Sequence, residues 1–182
     1  NHKVGRAEHL GAHAAEEGVS KPVLREAVTM LMTWPGAPTL YYGDEAGVCG
    51  FTDPDNRRTY PWDNPDEDLI RFHREIIAMH RTHPALRTGS LKMLDGAHQY
   101  LAYGRFSREE QLVVLINNDD RPRRVRQSVW AAGLPHNCEM SRLLITSDEG
   151  YSFAPIRYQV KEGRLEILLP AHGAAVFVRV HA

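Results

Sequence analysis

Apolar residues along this chain follow two different periods, and the change between them falls near residue 89. From Ser20 to about residue 82 they recur at helical spacing. Leu24, Ala27, Val28 and Leu31 form one such set, and Leu69, Phe72, Ile76 and Met79 another. Ser20 is placed to cap the first helix, with Pro22 in its first turn, and Pro35-Gly36 stops it. The second helix, about 66–81, opens on Asp66, Glu67 and Asp68, where carboxylates meet the positive end of the helix dipole, and Pro84 follows its last turn. Between the helices, Thr39-Leu40-Tyr41-Tyr42 is short, apolar and β-prone, which predicts a fully buried parallel strand.

Beyond Gly89 the period becomes two. Strands are predicted over 99–103, 111–116, 142–145, 164–169 and 175–180, with turn chemistry at Asn117-Asn118-Asp119-Asp120, Glu162-Gly163 and His172-Gly173. Short strands separated by such turns predict an antiparallel sandwich. The first half is different, because one parallel-type strand flanked by helices can neither complete a sheet nor close a core. It reads as the tail of a larger β/α array. Two parts are therefore expected, residues 1–88 and 89–182, with the chain a fragment of something longer.

Composition narrows the function classes. Of 182 residues 42% are hydrophobic and 25% charged, ordinary values for a globular protein. A net charge of -1 supplies no basic field for nucleic acid or anionic lipid, and the apolar runs fall short of a membrane span. Cys49 and Cys138 make no disulfide framework and are expected to be buried free thiols. Asn1-His2-Lys3 shows no Met, basic n-region or apolar h-region, so the chain is expected either to begin inside a longer protein or to have been trimmed. The cytoplasm is only slightly favoured as its compartment.

The chemistry concentrates in one place. Gly36-Ala37-Pro38-Thr39-Leu40-Tyr41-Tyr42-Gly43-Asp44-Glu45 is followed by Asp53-Pro54-Asp55-Asn56-Arg57-Arg58 and then Pro61-Trp62-Asp63. A carboxylate accepts from hydroxyls and a guanidinium donates to them in a fixed fork, so Asp53 and Arg57 on one loop suit a hydroxyl-rich ligand. They equally suit a structural ion pair bracing the loop. These three motifs closely resemble the eighth strand and following loop of the α-amylase family of glycoside hydrolases, nearest its neopullulanase and maltogenic-amylase branch. His83-Pro84-Ala85-Leu86-Arg87-x-Gly89 is similar to the family's link from the last barrel helix to the C-terminal sandwich. The resemblance implies an α/β remnant of a (β/α)8 barrel, contributing its last helix, strand and helix, followed by an all-β sandwich. It implies that Asp53 and Arg57 hydrogen-bond a sugar in a donor subsite, and that Asp44 and Glu45 order the barrel mouth.

At the start, His2 and Arg6 fit the family region in which Asn-His-Asp is followed three residues later by Arg. The resemblance makes His2 a sugar contact and puts Lys3 where the transition-state-stabilising Asp is expected. A carboxylate about 4 Å from a developing cation contributes on the order of 4 kcal/mol at an effective dielectric of 20, and a lysine reverses the sign. Either the parent protein is catalytically impaired or the alignment slips here. The nucleophile and acid, which retaining chemistry holds about 5–5.5 Å apart, lie upstream in the family, so no catalytic residue, cofactor or metal is expected within this chain. The expected partner is an α-glucan or malto-oligosaccharide, bound together with the missing barrel. Unburied barrel elements are expected to drive self-association.

Other candidates read as structural. His9 and His13 sit at zinc-compatible spacing without a third ligand or a catalytic Glu. They are expected to be surface histidines, as are His73, His80 and His83. Arg121, Arg123, Arg124 and Arg126 lack interleaved aromatics and read as a solvated hairpin. Trp62 is the one tryptophan placed to stack on a sugar, although packing is its default role. The competing functional readings are a non-catalytic family relative and a free-standing sandwich module.

Overall fold

A computed structural model describes residues 19–50, 53–54 and 56–181. His2, Lys3, Arg6, His9 and His13 lie outside the described residues. The chain divides into two compact units, one of Asn1–Lys21 with Thr39–Arg74, the other of Pro22–Pro38 with Glu75–Ala182.

The larger unit is built on two antiparallel sheets. Its strands are β1 (Ser90–Ala97), β2 (Tyr100–Phe106), β3 (Gln111–Asn117), β4 (Arg123–Ser128), β5 (Cys138–Ser147), β6 (Gly150–Ser152), β7 (Ile156–Val160), β8 (Arg164–Leu169) and β9 (Gly173–Arg179). Seven pair in the order β1-β2-β3-β9-β5-β6, with β7 also on β5, while β4 and β8 form a second sheet. Alternation fixes the faces: Tyr100, Ala102, Val113, Leu115, Ala175 and Phe177 of the large sheet meet Val125, Leu165, Ile167 and Leu169 of the small one in a single core. Gly104 admits the close approach of Ala132, because a Cβ there would stand 2.3 Å from the Ala132 Cβ. All five strands read from the sequence are present. Four were not legible: β1 lies mostly exposed at an edge and β4, Arg-Arg-Val-Arg-Gln-Ser, reads as charged, while β6 and β7 are short. The basic stretch is therefore an edge strand, with Val125 and Gln127 turned in and Arg124 and Arg126 out.

The large sheet also has a covered outer face, which is why every residue of β3 is buried. Helix α1 (Lys21–Thr33) reaches it through polar groups. Thr33 Oγ1 and the Tyr103 hydroxyl lie 2.5 Å apart, and the Arg105 guanidinium donates to the carbonyls of Thr33 at 2.7 Å and Gly89 at 2.9 Å. Both carbonyls close a helix, so the buried cation sits at two negative helix ends. The Trp34 ring meets Tyr103 edge-on at 5.2 Å. The buried face of α1 is thus Arg25, Glu26, Val28, Thr29, Met32 and Thr33. Of the expected apolar stripe Val28 alone is buried; Leu24 and Leu31 are half-buried and Ala27 is exposed.

Helix α2 (Glu67–Thr82) agrees with its pattern, with Leu69, Phe72, Ile76 and Met79 all buried. Asp66 caps it, its carboxylate accepting from Leu69 N–H at 3.1 Å. A short helix α3 (Pro84–Thr88) leads into β1. The expectation of surface histidines fails for His73, His80 and His83. His73 is buried with Nδ1 2.8 Å from the Leu69 carbonyl, His80 Nδ1 lies 2.7 Å from the Met32 carbonyl, and His83 Nδ1 lies 2.6 Å from Glu110 Oε1. Each occupies the inner side of a helix or its end, where the ring's apolar body packs and its nitrogen needs a partner. Cys49 and Cys138 are free and half-buried.

Candidate functional site

The smaller unit carries the polar loop. No strand forms over Thr39–Tyr42, and Tyr41 and Tyr42 stand half-exposed with their rings 4.8 Å apart. The expected buried parallel strand is thereby corrected. A parallel strand satisfies its backbone only on neighbouring parallel strands, and none lies among the described residues.

The backbone instead tightens into a turn and a 3-10 helix, Asp44–Ala46, between Gly43 and Gly47, both left-handed at φ 89° and 78°. Ala46 and Val48 N–H both donate to the Gly43 carbonyl at 2.9 Å, and a Cβ on Gly43 would meet Val48 Cγ2 at 2.8 Å. Glu45 turns back to accept from Gly43 N–H at 3.0 Å, which commits its carboxylate to the turn. Burial raises the Asp44 carboxyl above its ordinary value; the Tyr41 backbone opposes this and Glu45 adds to it. Asp66 N–H donates to the Ala46 carbonyl at 3.2 Å, tying the turn to the start of α2. Burial alone would raise the Asp66 carboxyl, but the Lys21 ammonium at 2.5 Å and Leu69 N–H outweigh it and hold the group below the usual range.

Asp53 and Arg57 come together on the loop that follows, Arg57 Nε donating to Asp53 Oδ1 at 2.6 Å, with both side chains largely exposed. Arg57 N–H closes a turn onto the Pro54 carbonyl at 2.9 Å, and the Tyr42 hydroxyl donates to the Arg58 carbonyl at 3.0 Å. An exposed pair of this kind contributes about 0–1 kcal/mol to stability, so its geometry costs little to rearrange around a ligand. Beside it lies a cleft of about 350 Å³ lined by Val19, Tyr41, Asp44, Val48, Cys49 and Asn56. Asp53 and Arg57 are not among its lining residues. Trp62 is not packed away: it is 82% exposed, its ring 4.7 Å from that of Tyr60. Among the described residues no cluster of His, Cys, Asp and Glu could hold a metal ion, and no helix is long and apolar enough to cross a membrane.

In class, then, the chain is an antiparallel β-sandwich with flanking helices, accompanied by a compact turn-and-loop unit rich in exposed aromatic and charged groups. No protein-family model matches it. In sequence it is 40% identical over 98 residues to an amylopullulanase of Thermoanaerobacter thermohydrosulfuricus, covering 54% of this chain and 7% of that protein. It is 37% identical over 103 residues to a cyclomaltodextrinase of a Bacillus species, covering 54% of this chain and 18% of that protein. In structure it resembles an α-amylase of Geobacillus thermoleovorans crystallised with acarbose. That match has a TM-score of 0.74 and 26% identity, over 88% of this chain and 34% of the other. The chain is a relative of the α-amylase-family glycoside hydrolases, and spans well under half the length of each of these proteins.

Proposed function

We propose that this chain is the C-terminal portion of an α-glucan-active hydrolase or transglycosidase that works by double displacement with retention. In this reading residues 1–88 supply the last elements of a (β/α)8 barrel and residues 89–182 a sandwich packed on it. Asp53, Arg57 and His2 contact a donor-side sugar, while the nucleophile and acid/base lie in upstream segments, so the chain alone is inactive. The observation that carries the reading is the solvent-facing Asp53–Arg57 pair, a carboxylate and a guanidinium fork held side by side on one loop.

Three further observations support it. The structural match covers more of the chain than strands β1–β9 occupy. The relatives matched in sequence carry names that denote action on α-glucans. The surfaces left open here, Tyr41, Tyr42, Trp62 and the Leu24–Ala27–Leu31 stripe of α1, are those that further barrel elements would cover. By the same token the isolated chain self-associates.

The test uses the longer protein. Losing a hydrogen bond from a sugar hydroxyl to a charged group costs about 1.5–3 kcal/mol, so Asp53→Ala and Arg57→Ala each lower kcat/KM on malto-oligosaccharides by roughly 10- to 150-fold, with unchanged thermal stability. Activity within twofold of the parent in both variants would sink the sugar-contact role. Lys3 favours a second reading, a relative that has lost catalysis. Lys3→Asp in the longer protein separates the two, since a large gain in turnover identifies an impaired enzyme and no turnover in either form identifies a binding protein.

A further inference from the structure

From the geometry of the sandwich we infer a second carbohydrate-binding site, a surface platform for neutral α-glucan chains formed by Trp130 and the groove beside it. The choice of glucan rests on the function proposed above; the platform rests on the following geometry. Trp130 is 68% exposed, yet it is not on a loose loop. It opens the 3-10 helix Trp130–Ala132, whose own Ala132 and the nearby Val129 and Leu134 are all buried in the core. Val129 N–H donates to the Gly163 carbonyl at 2.9 Å and Gly163 N–H to the His136 carbonyl at 2.7 Å. The indole is thus held out in water by residues anchored within. A large amphipathic ring fixed in place offers contact area at little entropic cost on binding.

Gly163, itself buried, lies beside the indole. It lies in a turn at φ 70°, and a Cβ there would rest 3.9 Å from the Trp130 Cβ and 3.7 Å from His136 Cδ2, so any side chain would lie against the indole. On either side of Gly163, residues Lys161, Glu162 and Arg164 join Arg126, Gln159 and Glu166 around an open groove of about 440 Å³. All six residues are exposed, Arg126 on β4, Gln159 on β7, Arg164 and Glu166 on β8, and Lys161 and Glu162 in the turn between β7 and β8. Arg126 Nε donates to Glu166 Oε1 at 2.8 Å, making a second exposed guanidinium–carboxylate pair like that of Arg57 and Asp53.

The groove therefore presents acceptors and donors, and the Trp130 indole lies beside it, next to Gly163. A glucan chain has the complementary surface, vicinal hydroxyls along its edges and apolar C–H faces on its rings. The charges are mixed, three cations against two carboxylates with one pair internally neutralised. That balance fits a neutral polyol better than a polyanion.

Affinity electrophoresis of the whole 182-residue chain tests this. In native gels containing soluble starch the parent chain is retarded relative to gels without it. Trp130→Ala loses about tenfold in apparent affinity, the scale of one stacking contact, and Trp130→Tyr restores part of it. Because Trp130 is exposed, the alanine variant keeps the parent's melting temperature. Trp130→Ala loses the same factor in a chain already carrying Asp53→Ala/Arg57→Ala, so the loss reads the platform and not the loop. Trp130→Ala retarded as strongly as the parent, or a parent not retarded at all, overturns the platform. Retardation confined to gels containing dextran sulfate would overturn it too and assign the groove to a polyanion. None of these outcomes bears on the loop, whose role is read from kcat/KM in the longer protein.

Discussion

Glu26 gives the sandwich unit a stability that should fall as pH rises. The residue lies on the buried face of α1 at 4% exposure, its Oε1 without a hydrogen-bond partner. Burial, and secondarily the nearby Asp148 carboxylate, push its carboxyl up to about 7 from 4.5. Arg25 beside it is directed over the Tyr151 ring at 5.3 Å. A carboxyl raised in the folded state ionises first in the unfolded chain, so raising the pH through that interval stabilises the unfolded state relative to the folded one. At 1.36 kcal/mol per pH unit the loss is under ~1 kcal/mol near pH 5 and approaches ~3 kcal/mol above pH 8. Glu26→Gln removes the ionisation while keeping the shape. Urea unfolding of parent and variant near pH 5 and again near pH 8.5 reads the difference. The variant is expected to match the parent to within ~1 kcal/mol at the lower pH and to exceed it by ~3 kcal/mol at the higher. A difference between the two proteins that does not change with pH would refute the assignment of a buried, poorly partnered carboxylate.

Three other outcomes follow from the packing. Gly104→Ala places a methyl 2.3 Å from the Ala132 Cβ and should cost about 1–3 kcal/mol in urea unfolding, with Ala132→Gly in the same chain recovering part of the loss. Trypsin should cut first after Arg57 or Arg58, on an exposed loop, before any site in the sandwich, with the new termini identified by intact mass. Tyr103, buried and with its hydroxyl beside Thr33 Oγ1, has its ionisation pushed up to about 12. In a spectrophotometric titration Tyr103→Phe should therefore leave the absorbance change unaltered up to about pH 11.

The sequence by itself determined the parts of this protein governed by local rules. The change of period near Gly89, the strands β2, β3, β5, β8 and β9 and the apolar face of α2 follow from side-chain alternation and helical spacing, which need no knowledge of neighbours. The pairing of Asp53 with Arg57 was also within reach, since four residues on one loop keep two side chains near each other. Tertiary structure decided whatever depends on a partner distant in sequence. The segment 39–42 has strand propensity but no neighbouring strand to bond, so it folded into a turn capped by Glu45. The outer side of the large sheet is covered by a helix whose inward residues include Arg25, Glu26 and Thr33. Thr33 meets the Tyr103 hydroxyl and Arg25 lies over the Tyr151 ring, while Glu26 is buried with one oxygen unpartnered, and none of this is legible as apolar spacing. A strand as polar as β4 exists because the ladder to β8 pairs one edge of its backbone and leaves the other edge to water. Trp130 stands in solvent for a related reason: its neighbours Val129 and Ala132 claimed the core, and the anchored turn left the indole no room inside.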